Sequence, residues 1–292
     1  MVTGASGPVG HALVTILVER DEVRAAVRRP EAAEPLRGLG AKVTVGRLDD
    51  ADALAEVLRR VETVVHLVGG PNQPDDEALW DANHGSVLRA LAASKIAAVP
   101  RFVLVSVPGA SPDAGGAYLR ARGLAEEAVT TSGLEHAVIR STHVYGPGSL
   151  WFAAVVQGAL ADPPLVVGDG SQPIAPVAVH DLAAVLAAAD DRRGELAGTW
   201  CLQGPQTLSA DALSTLLAGE GAPAAEHVRG DDARRRSEGL LGIAVSAAAV
   251  EVFEAPSVSD APDAAAAFGV ELTPLVEGLR AALAASSVSP DG

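Results

Sequence analysis

Two hydrophobic rhythms alternate along the chain. Short aliphatic runs, Val23 to Val27, Lys42 to Val45, Thr63 to Val68, Arg101 to Val107 and Glu135 to Ile139, are separated by stretches in which apolar residues recur at helical spacing. In the first such stretch Val9, Leu13, Ile16 and Leu17 fall on one face. A continuous run such as Val64-Val65-His66-Leu67-Val68 suits a strand buried on both sides, so the alternation predicts an α/β architecture, a parallel sheet covered by helices on both faces. Right-handed crossovers then gather Gly69-Gly70-Pro71, Ser106-Val107-Pro108 and Ser141-Thr142-His143 at the carboxyl ends of the strands, where ligands bind in such sheets.

After Gly148 the pattern changes to longer helices and isolated strands, broken at Asp162-Pro163-Pro164 and Gly168-Asp169-Gly170-Ser171-Gln172-Pro173. The expected division is a nucleotide-binding domain over 1–148, a smaller substrate-covering lobe over 149–285 and a frayed tail over 286–292. Residues 219–238, rich in Gly, Ala, Pro and charge, read as loosely structured.

The opening run Thr3-Gly4-Ala5-Ser6-Gly7-Pro8-Val9-Gly10 sets three glycines at the spacing G-x-x-G-x-x-G directly before the first predicted helix. Glycine allows a tight turn and a close backbone approach to a pyrophosphate, and the helix offers unpaired N–H groups at its positive end. A strand, loop, helix, strand context raises this from an ordinary turn to a dinucleotide loop. Its one short element is the first strand, since only Met1 to Thr3 precede Gly4, against a usual length of roughly five residues.

Composition narrows the ligand further. The 292 residues are 48% hydrophobic but only 3% aromatic, which means an aliphatic core with little to stack on bases. A net charge of −15 repels polyanions, so neither nucleic acid nor an anionic membrane surface is an expected partner. The single cysteine, Cys201, excludes an internal disulfide framework and reads as an inert core thiol. The seven histidines form no metal-ligating pattern, and no metal is expected. With no leader pattern and no apolar run long enough to span a bilayer, the cytoplasm is the default compartment.

The glycine run, Val27-Arg28-Arg29-Pro30-Glu31, Val65-His66-Leu67 and Arg140-Ser141-Thr142-His143-Val144-Tyr145-Gly146-Pro147-Gly148 together resemble the atypical and extended short-chain dehydrogenase/reductases, on the NmrA-like and NAD(P)-dependent epimerase side. Asn83, Gly168-Asp169-Gly170, Val179-His180-Asp181-Leu182-Ala183 and Phe268-Gly269-Val270 extend the likeness to about residue 285. The resemblance implies a Rossmann-type doubly wound parallel sheet, cofactor on the first half and substrate on the second. Gly4, Ala5, Ser6, Gly7, Pro8, Val9 and Gly10 would hold the cofactor, joined by Leu48, Gly69, Ser106 and Arg122.

Cofactor choice follows from chemistry at the end of the second strand, where an acid accepts from a ribose 2′-hydroxyl and an arginine pairs with a 2′-phosphate. Arg28 and Arg29 stand there, so NADP(H) is expected, with Arg28 as the phosphate contact; the bland alternative is a solvated basic pair. At Gly46-Arg47-Leu48-Asp49 the chain departs from its relatives, which carry an aspartate after the glycine. Arg47 would stack on adenine or point to water, and Asp49 or Asp50 would cap the helix Ala51 to Arg60.

Catalysis in the family rests on a Tyr and a Lys four residues apart on one helix, facing the same way. Here the pair is Tyr118 and Arg122, and the usual hydroxyl after the fifth strand is missing, because Pro108 stands near its place; Ser111 is the candidate substitute. Three accounts remain. Tyr118 is the acid of an NADPH-dependent reduction with Arg122 and Ser111 assisting, or hydride passes to a quinone or conjugated acceptor with little protein help. Alternatively the fold binds NADP(H) without turnover, as a redox sensor; a non-redox isomerase or cyclase is a further option.

The remaining candidates divide between site and structure. Tyr145 would line the nicotinamide end or pack, and His143 would face substrate or be satisfied by backbone. Asn83 would steady a long fourth helix near the site or be solvated. Asp181 reads as the cap of a helix Leu182 to Ala189 rather than as half of a dyad with His180. The function expected is reduction of a small carbonyl, quinone or conjugated acceptor, with a small-molecule substrate as partner and a homodimer left open.

Overall fold

The computed structural model describes residues 1–46, 49–192, 194–195, 197–219, 221–259 and 262–287. Six strands alternate with helices: β1 Val2–Thr3, α1 Pro8–Leu17, β2 Arg24–Val27, α2 Ala33–Gly38, β3 Lys42–Val45, α3 Ala51–Val57, β4 Thr63–His66, α4 Asp76–Trp80, α5 Ser86–Ile96, β5 Arg101–Ser106, α6 Ala117–Thr130 and β6 Glu135–Ser141. They pair in parallel in the order β3-β2-β1-β4-β5-β6, and Gly198–Leu202 adds a seventh strand beside β6. This is a Rossmann-like sheet, with its change of direction between β1 and β4.

β1 is as short as the sequence predicts, yet it is central. Its two residues pair on both sides, Val2 with Ala25 and Val65, Thr3 with Ala26 and His66. β4 stops at His66, two residues before the aliphatic run ends: Leu67 N still donates to Thr3 O at 3.1 Å, and its carbonyl then passes over Gly4. β6 runs two residues longer than its aliphatic core suggests, since Arg140 and Ser141 still pair with Cys201 and Leu202.

Alternation along each strand divides the core between two faces. On β5, Phe102 and Leu104 meet Leu54, Leu58, Val87 and Leu91 from α3 and α5, whereas Val103 turns to the other face. That face is covered by α1, through Leu13, Val14 and Leu17, and by a helix from the distal half, Val179–Asp191, through Leu182, Val185 and Leu186.

The two cores therefore do not divide at residue 148. Val177, the helix Val179–Asp191, Leu202 and Ala264 to Phe268 return to the first core, because the sheet's second face would otherwise be covered by α1 and α2 alone. The second core gathers Tyr145, Trp151 and Phe152 with Leu213, Val228, Val250, Phe253 and Leu279.

Local readings are also revised. The later part of the charged stretch is regular, a short strand Glu226–Val228 and the helix Gly230–Leu241, with ion pairs such as Arg236–Glu226 at 2.9 Å. Ser286 lies in the helix Leu275–Ser287, where its hydroxyl donates to Ala282 O at 2.9 Å, and residues 288–292 lie outside the described residues. Asp50 caps α3, accepting from Asp52 N at 2.9 Å. Asp181 caps nothing: it stands inside its helix, whose N-cap is Ala178, and accepts from Thr273 N and Oγ1 at 2.9 and 3.0 Å. His180 Nε2 shares that Thr273 hydroxyl at 2.7 Å, so the two neighbours fasten the approach to the last helix.

Tyr145 is 1% exposed and belongs to the second core, stacked at a tilt on Phe152 and fitted against Gly278, where any side chain would collide with its ring. Its hydroxyl is buried without a partner, and burial, with Asp181 adding repulsion, pushes its pKa up to about 12. A buried hydroxyl without a hydrogen bond is a liability of about 1–3 kcal/mol. Tyr145→Phe is accordingly expected to leave stability unchanged or raise it by up to about 1 kcal/mol in chemical denaturation; a loss larger than that would show that the hydroxyl is paired in solution.

Candidate active site

The glycine loop is shaped by backbone contacts. Gly4 adopts φ +70°, and a Cβ there would stand 2.8 Å from the carbonyl carbon of Leu67, so the turn needs glycine for both conformation and space. A Cβ on Gly10 would lie 2.5 Å from Gly4 O, which lets α1 seat directly on the loop. Gly7 is the N-cap of α1 and its N–H closes the turn onto Gly4 O at 3.1 Å; Pro8 begins the helix, two residues before the end of the motif. With glycine as N-cap and proline first, no capping side chain covers the first turn, and Val9 from that turn lines the cavity described below. Ala5 is buried under the loop and Ser6 is exposed on it.

Across the crevice, Gly69 and Gly70 follow β4 with φ of +135° and +133°. Asn83 holds them. It is 0% exposed, accepts from Gly70 N at 2.8 Å through Oδ1, and donates through Nδ2 to Gly70 O at 3.0 Å and Leu79 O at 2.9 Å. The expected long helix is interrupted at that residue by a π-helical turn, Asp81–Gly85, between α4 and α5. The solvated alternative for Asn83 is excluded. A polar residue in an otherwise half-buried helix, facing a Gly-Gly loop, was the signal available.

A second tether ties this turn to β1. His66 Nδ1 lies 2.9 Å from Thr3 Oγ1 and Nε2 lies 3.1 Å from Ser86 Oγ, whose own proton goes to Ala82 O at 2.7 Å. Since Ser86 has spent its proton, Nε2 must donate and Nδ1 must accept. Burial, reinforced by the Arg122 and Arg89 charges, drives the His66 pKa down to about 3, so the ring is neutral.

Between the two loops lies a cavity of about 140 Å³, walled by Val9, Gly69, Gly70, Ser106, Tyr118 and Arg122 among others. Tyr118 and Arg122 reach it from α6, one turn apart, as their spacing predicts. Arg122 is buried; its Nη2 donates to Val105 O and its Nε has no partner. Glu126, one turn further along, is taken by Arg140 through contacts of 3.0 and 2.6 Å. Burial raises the Tyr118 pKa above the ordinary phenol value, and the neighbouring guanidinium offsets part of that rise. Burial likewise weakens the hold of Arg122 on its proton, opposed by Tyr118 and Glu126.

Ser106, the last residue of β5, is 0% exposed, and its Oγ has no partner although Ser106 lines the cavity. Ser111 is placed elsewhere. Its backbone docks on Gly123, where a Cβ would collide with it, and its hydroxyl accepts from Asp113 N at 3.2 Å. Ser111 N also donates to Leu119 O at 3.3 Å, so the residue packs on α6 and is not among those that line the cavity.

Arg28 and Arg29 stand exposed just past β2, next to the glycine loop's strand; Arg29 reaches Glu31 at 3.5 Å, and among the described residues Arg28 has no ion-pair partner. Arg47 and Leu48 lie outside the described residues. His143 is buried and stacked on Trp151 at 4.5 Å, with Nε2 unpartnered. Gly148, further along the same segment, passes over Pro8. Among the described residues no group of three or more His, Cys, Asp or Glu is placed to hold a metal, and no helix is long and apolar enough to cross a membrane.

The loop, helix terminus and paired glycines fit a dinucleotide, and comparison with known proteins agrees. A family model described as NAD(P)H-binding matches residues 4–189. The chain is 31% identical over 217 residues to the (4-alkanoyl-5-oxo-2,5-dihydrofuran-3-yl)methyl phosphate reductase of Streptomyces griseus subsp. griseus, covering 72% of this chain and 69% of that protein. It is 30% identical over 188 residues to the ceramide reductase of Caulobacter vibrioides, covering 64% of this chain and 59% of that one. In fold it is similar to the triphenylmethane reductase of Citrobacter sp. complexed with NADP(H), with a TM-score of 0.75 and 21% identity over 96% of this chain and 98% of the other. Glycine loop, sheet order and family match converge: the chain belongs to the NAD(P)H-binding family.

Proposed function

We propose that the protein is an NADP(H)-dependent reductase of a small carbonyl, quinone or conjugated acceptor. The observation that carries this reading is the cavity beside the glycine loop, where Tyr118, Arg122 and an unpartnered Ser106 hydroxyl share one wall. Its reductase relatives, as named above, support it. NADPH, when bound, supplies the hydride.

The chain's own residues supply position and a proton. The glycine loop and α1 terminus hold the pyrophosphate, and Arg28 pairs with the 2′-phosphate. Tyr118, kept neutral by burial, gives its phenolic proton to the acceptor oxygen as negative charge develops there. Arg122 stabilises the resulting tyrosinate. Ser106, rather than Ser111, is the hydroxyl positioned to donate a second hydrogen bond to that oxygen, because it alone of the two lines the cavity.

A second reading, NADP(H) binding without turnover, draws on Arg122, whose Nη2 is already engaged by Val105 O and whose planar fork does not reproduce a lysine. The two readings separate in a panel assay of NADPH oxidation against aldehydes, ketones and quinones. Turnover with any acceptor excludes the sensor; saturable binding with none excludes the reductase.

Two variants test the roles. Tyr118→Phe should lower kcat for a carbonyl acceptor by about 10²–10⁴-fold while leaving NADPH affinity unchanged; a fall below threefold would remove the acid role. Because burial raises the Tyr118 pKa, the acid form persists to higher pH than a free phenol, and the alkaline limb of the reduction rate should lie above about pH 10. Arg28→Ala should weaken NADPH by tenfold or more, the equivalent of about 1.5–3 kcal/mol for a charge-assisted contact, and leave NADH unchanged in fluorescence titration. Equal losses for both cofactors would place Arg28 outside the phosphate site.

A further inference from the structure

The loop that follows β4 is fastened to a turn in the distal half. Past Gly69 and Gly70 the chain continues to Pro71 and Asn72, and Asn72 Oδ1 accepts from Ser246 N at 2.8 Å while its Nδ2 donates to Ala244 O at 3.1 Å. A flip of this amide would set oxygen against oxygen and N–H against N–H, so its orientation is fixed. Ser246 completes the clasp, its Oγ donating to Pro71 O at 2.8 Å. The turn is anchored on its own side as well: Val245 is buried in the second core, and its N–H donates to Glu238 Oε1 at 3.1 Å.

Ser246 is also the N-cap of the helix Ala247–Glu254, where its Oγ accepts from Ala249 N at 3.1 Å. That helix is apolar on two sides. Ala249, Val250 and Phe253 enter the second core, while Ala248 and Val252, one turn apart, pack on the cluster of Leu79, Tyr118 and Ala121. Glu251 approaches Gly116, the N-cap of α6, so closely that a Cβ there would stand 2.9 Å from its carboxylate oxygen. The helix is a wedge between the second core and the helix that carries Tyr118.

The cavity beside the glycine loop is in direct contact with only one end of this chain of bonds. Gly69 and Gly70 line it, whereas among the described residues no member of the helix Ala247–Glu254 does. Glycine backbone is soft, and a dinucleotide seated against Gly69 and Gly70 narrows its freedom. Whatever steadies that loop steadies Asn72, and with it the turn and the cap of the helix.

We propose that Asn72 is a positioning residue, which carries cofactor occupancy at the Gly69–Gly70 loop to the helix Ala247–Glu254 and so holds that helix more firmly on Tyr118 once the cofactor is in place. The coupling stands on the clasp alone; its use, seating the acceptor beside a cofactor already bound, rests on the reductase reading. Coupling between sites is reciprocal, so an acceptor held by the helix tightens the cofactor in turn.

The test is hydrogen exchange of the full chain, read by mass spectrometry, without cofactor and with saturating NADPH or NADH in separate arms. Either cofactor that binds should slow the amides of residues 246–254 by about fivefold or more. The helix Ala210–Ala218, which shares the second core through Leu213 but lies outside the clasp, should change by less than about twofold. No slowing at 246–254 with either cofactor, or equal slowing of both helices, would overturn the coupling, the latter because ligand binding then only stabilises the whole fold. Asn72→Ala should abolish the response at 246–254 with cofactor Kd within about threefold of wild type, and a response that survives would overturn the role of Asn72. Ser246→Asp keeps an acceptor for Ala249 N but sets oxygen against Pro71 O, so it too should lose the response, and it decides the matter if Asn72→Ala does not fold. With an acceptor that turns over, Asn72→Ala should raise the acceptor KM by about fivefold or more and leave the NADPH KM unchanged; equal changes in both, or none, would overturn the link to the acceptor. A helix that responds in a chain that reduces nothing would refute the reductase reading and leave the coupling standing.

Discussion

Backbone touching backbone at the centre of the sheet is the constraint on which the rest of this structure depends. Gly4 lies against Leu67, and α1 reaches Gly4 through Gly10, each approach closer than a side chain allows. That contact explains why two residues suffice for β1: the strand needs only to place Gly4 in the crevice, with both neighbours paired to it. It also explains why β4 ends early. Leu67 makes the last bond of the ladder, to Thr3 O, before its carbonyl passes over the turn, and the Gly69–Gly70 loop follows on the far side of the crevice. The tethers from Asn83 and His66 then fix that loop to α4, α5 and β1, so the cavity's two walls are set by one set of contacts.

Charge is handled differently in this cavity from what a Tyr–Lys pair would require. A buried lysine readily gives up its proton, whereas a guanidinium keeps its charge and demands carbonyl partners in its plane. Arg122 meets one such demand at Val105 O, while Glu126, which would otherwise neutralise it, is held by Arg140. The positive charge is thus left facing Tyr118, and the neutral His66 beside it adds none. The Ser106 hydroxyl sits at the end of β5 in the same wall, so the site's polar groups arise from strand ends and one helix face.

The strands of the parallel sheet and the glycine loop were legible in the sequence because each rests on short-range pattern: buried strands are uniformly aliphatic, and glycines mark forced turns. Tyr118 and Arg122 were legible for the same reason, since helical spacing places them together. Pattern favours Ser111 over Ser106, which lies early for the family hydroxyl; which of the two lines the cavity depends on where β5 stops and on Ser111 docking at Gly123. Asn83 was ambiguous because its partners, Gly70 and Leu79, are reached only through a π-helical turn that no periodicity announces. Asp181 misled by mimicking a cap; its real partner, Thr273, lies some ninety residues away.

The helix Val179–Asp191 crosses back from the distal half to cover the sheet beside α1, and Gly198–Leu202 and Ala264 to Phe268 follow it. Chain therefore shuttles repeatedly between the two cores. Neither lobe is a cassette that recombination could exchange intact, since any cut near residue 148 leaves one face of the sheet covered by α1 and α2 alone. Packing that loosens in the distal half is thereby felt at the sheet, because the helix Val179–Asp191 belongs to both.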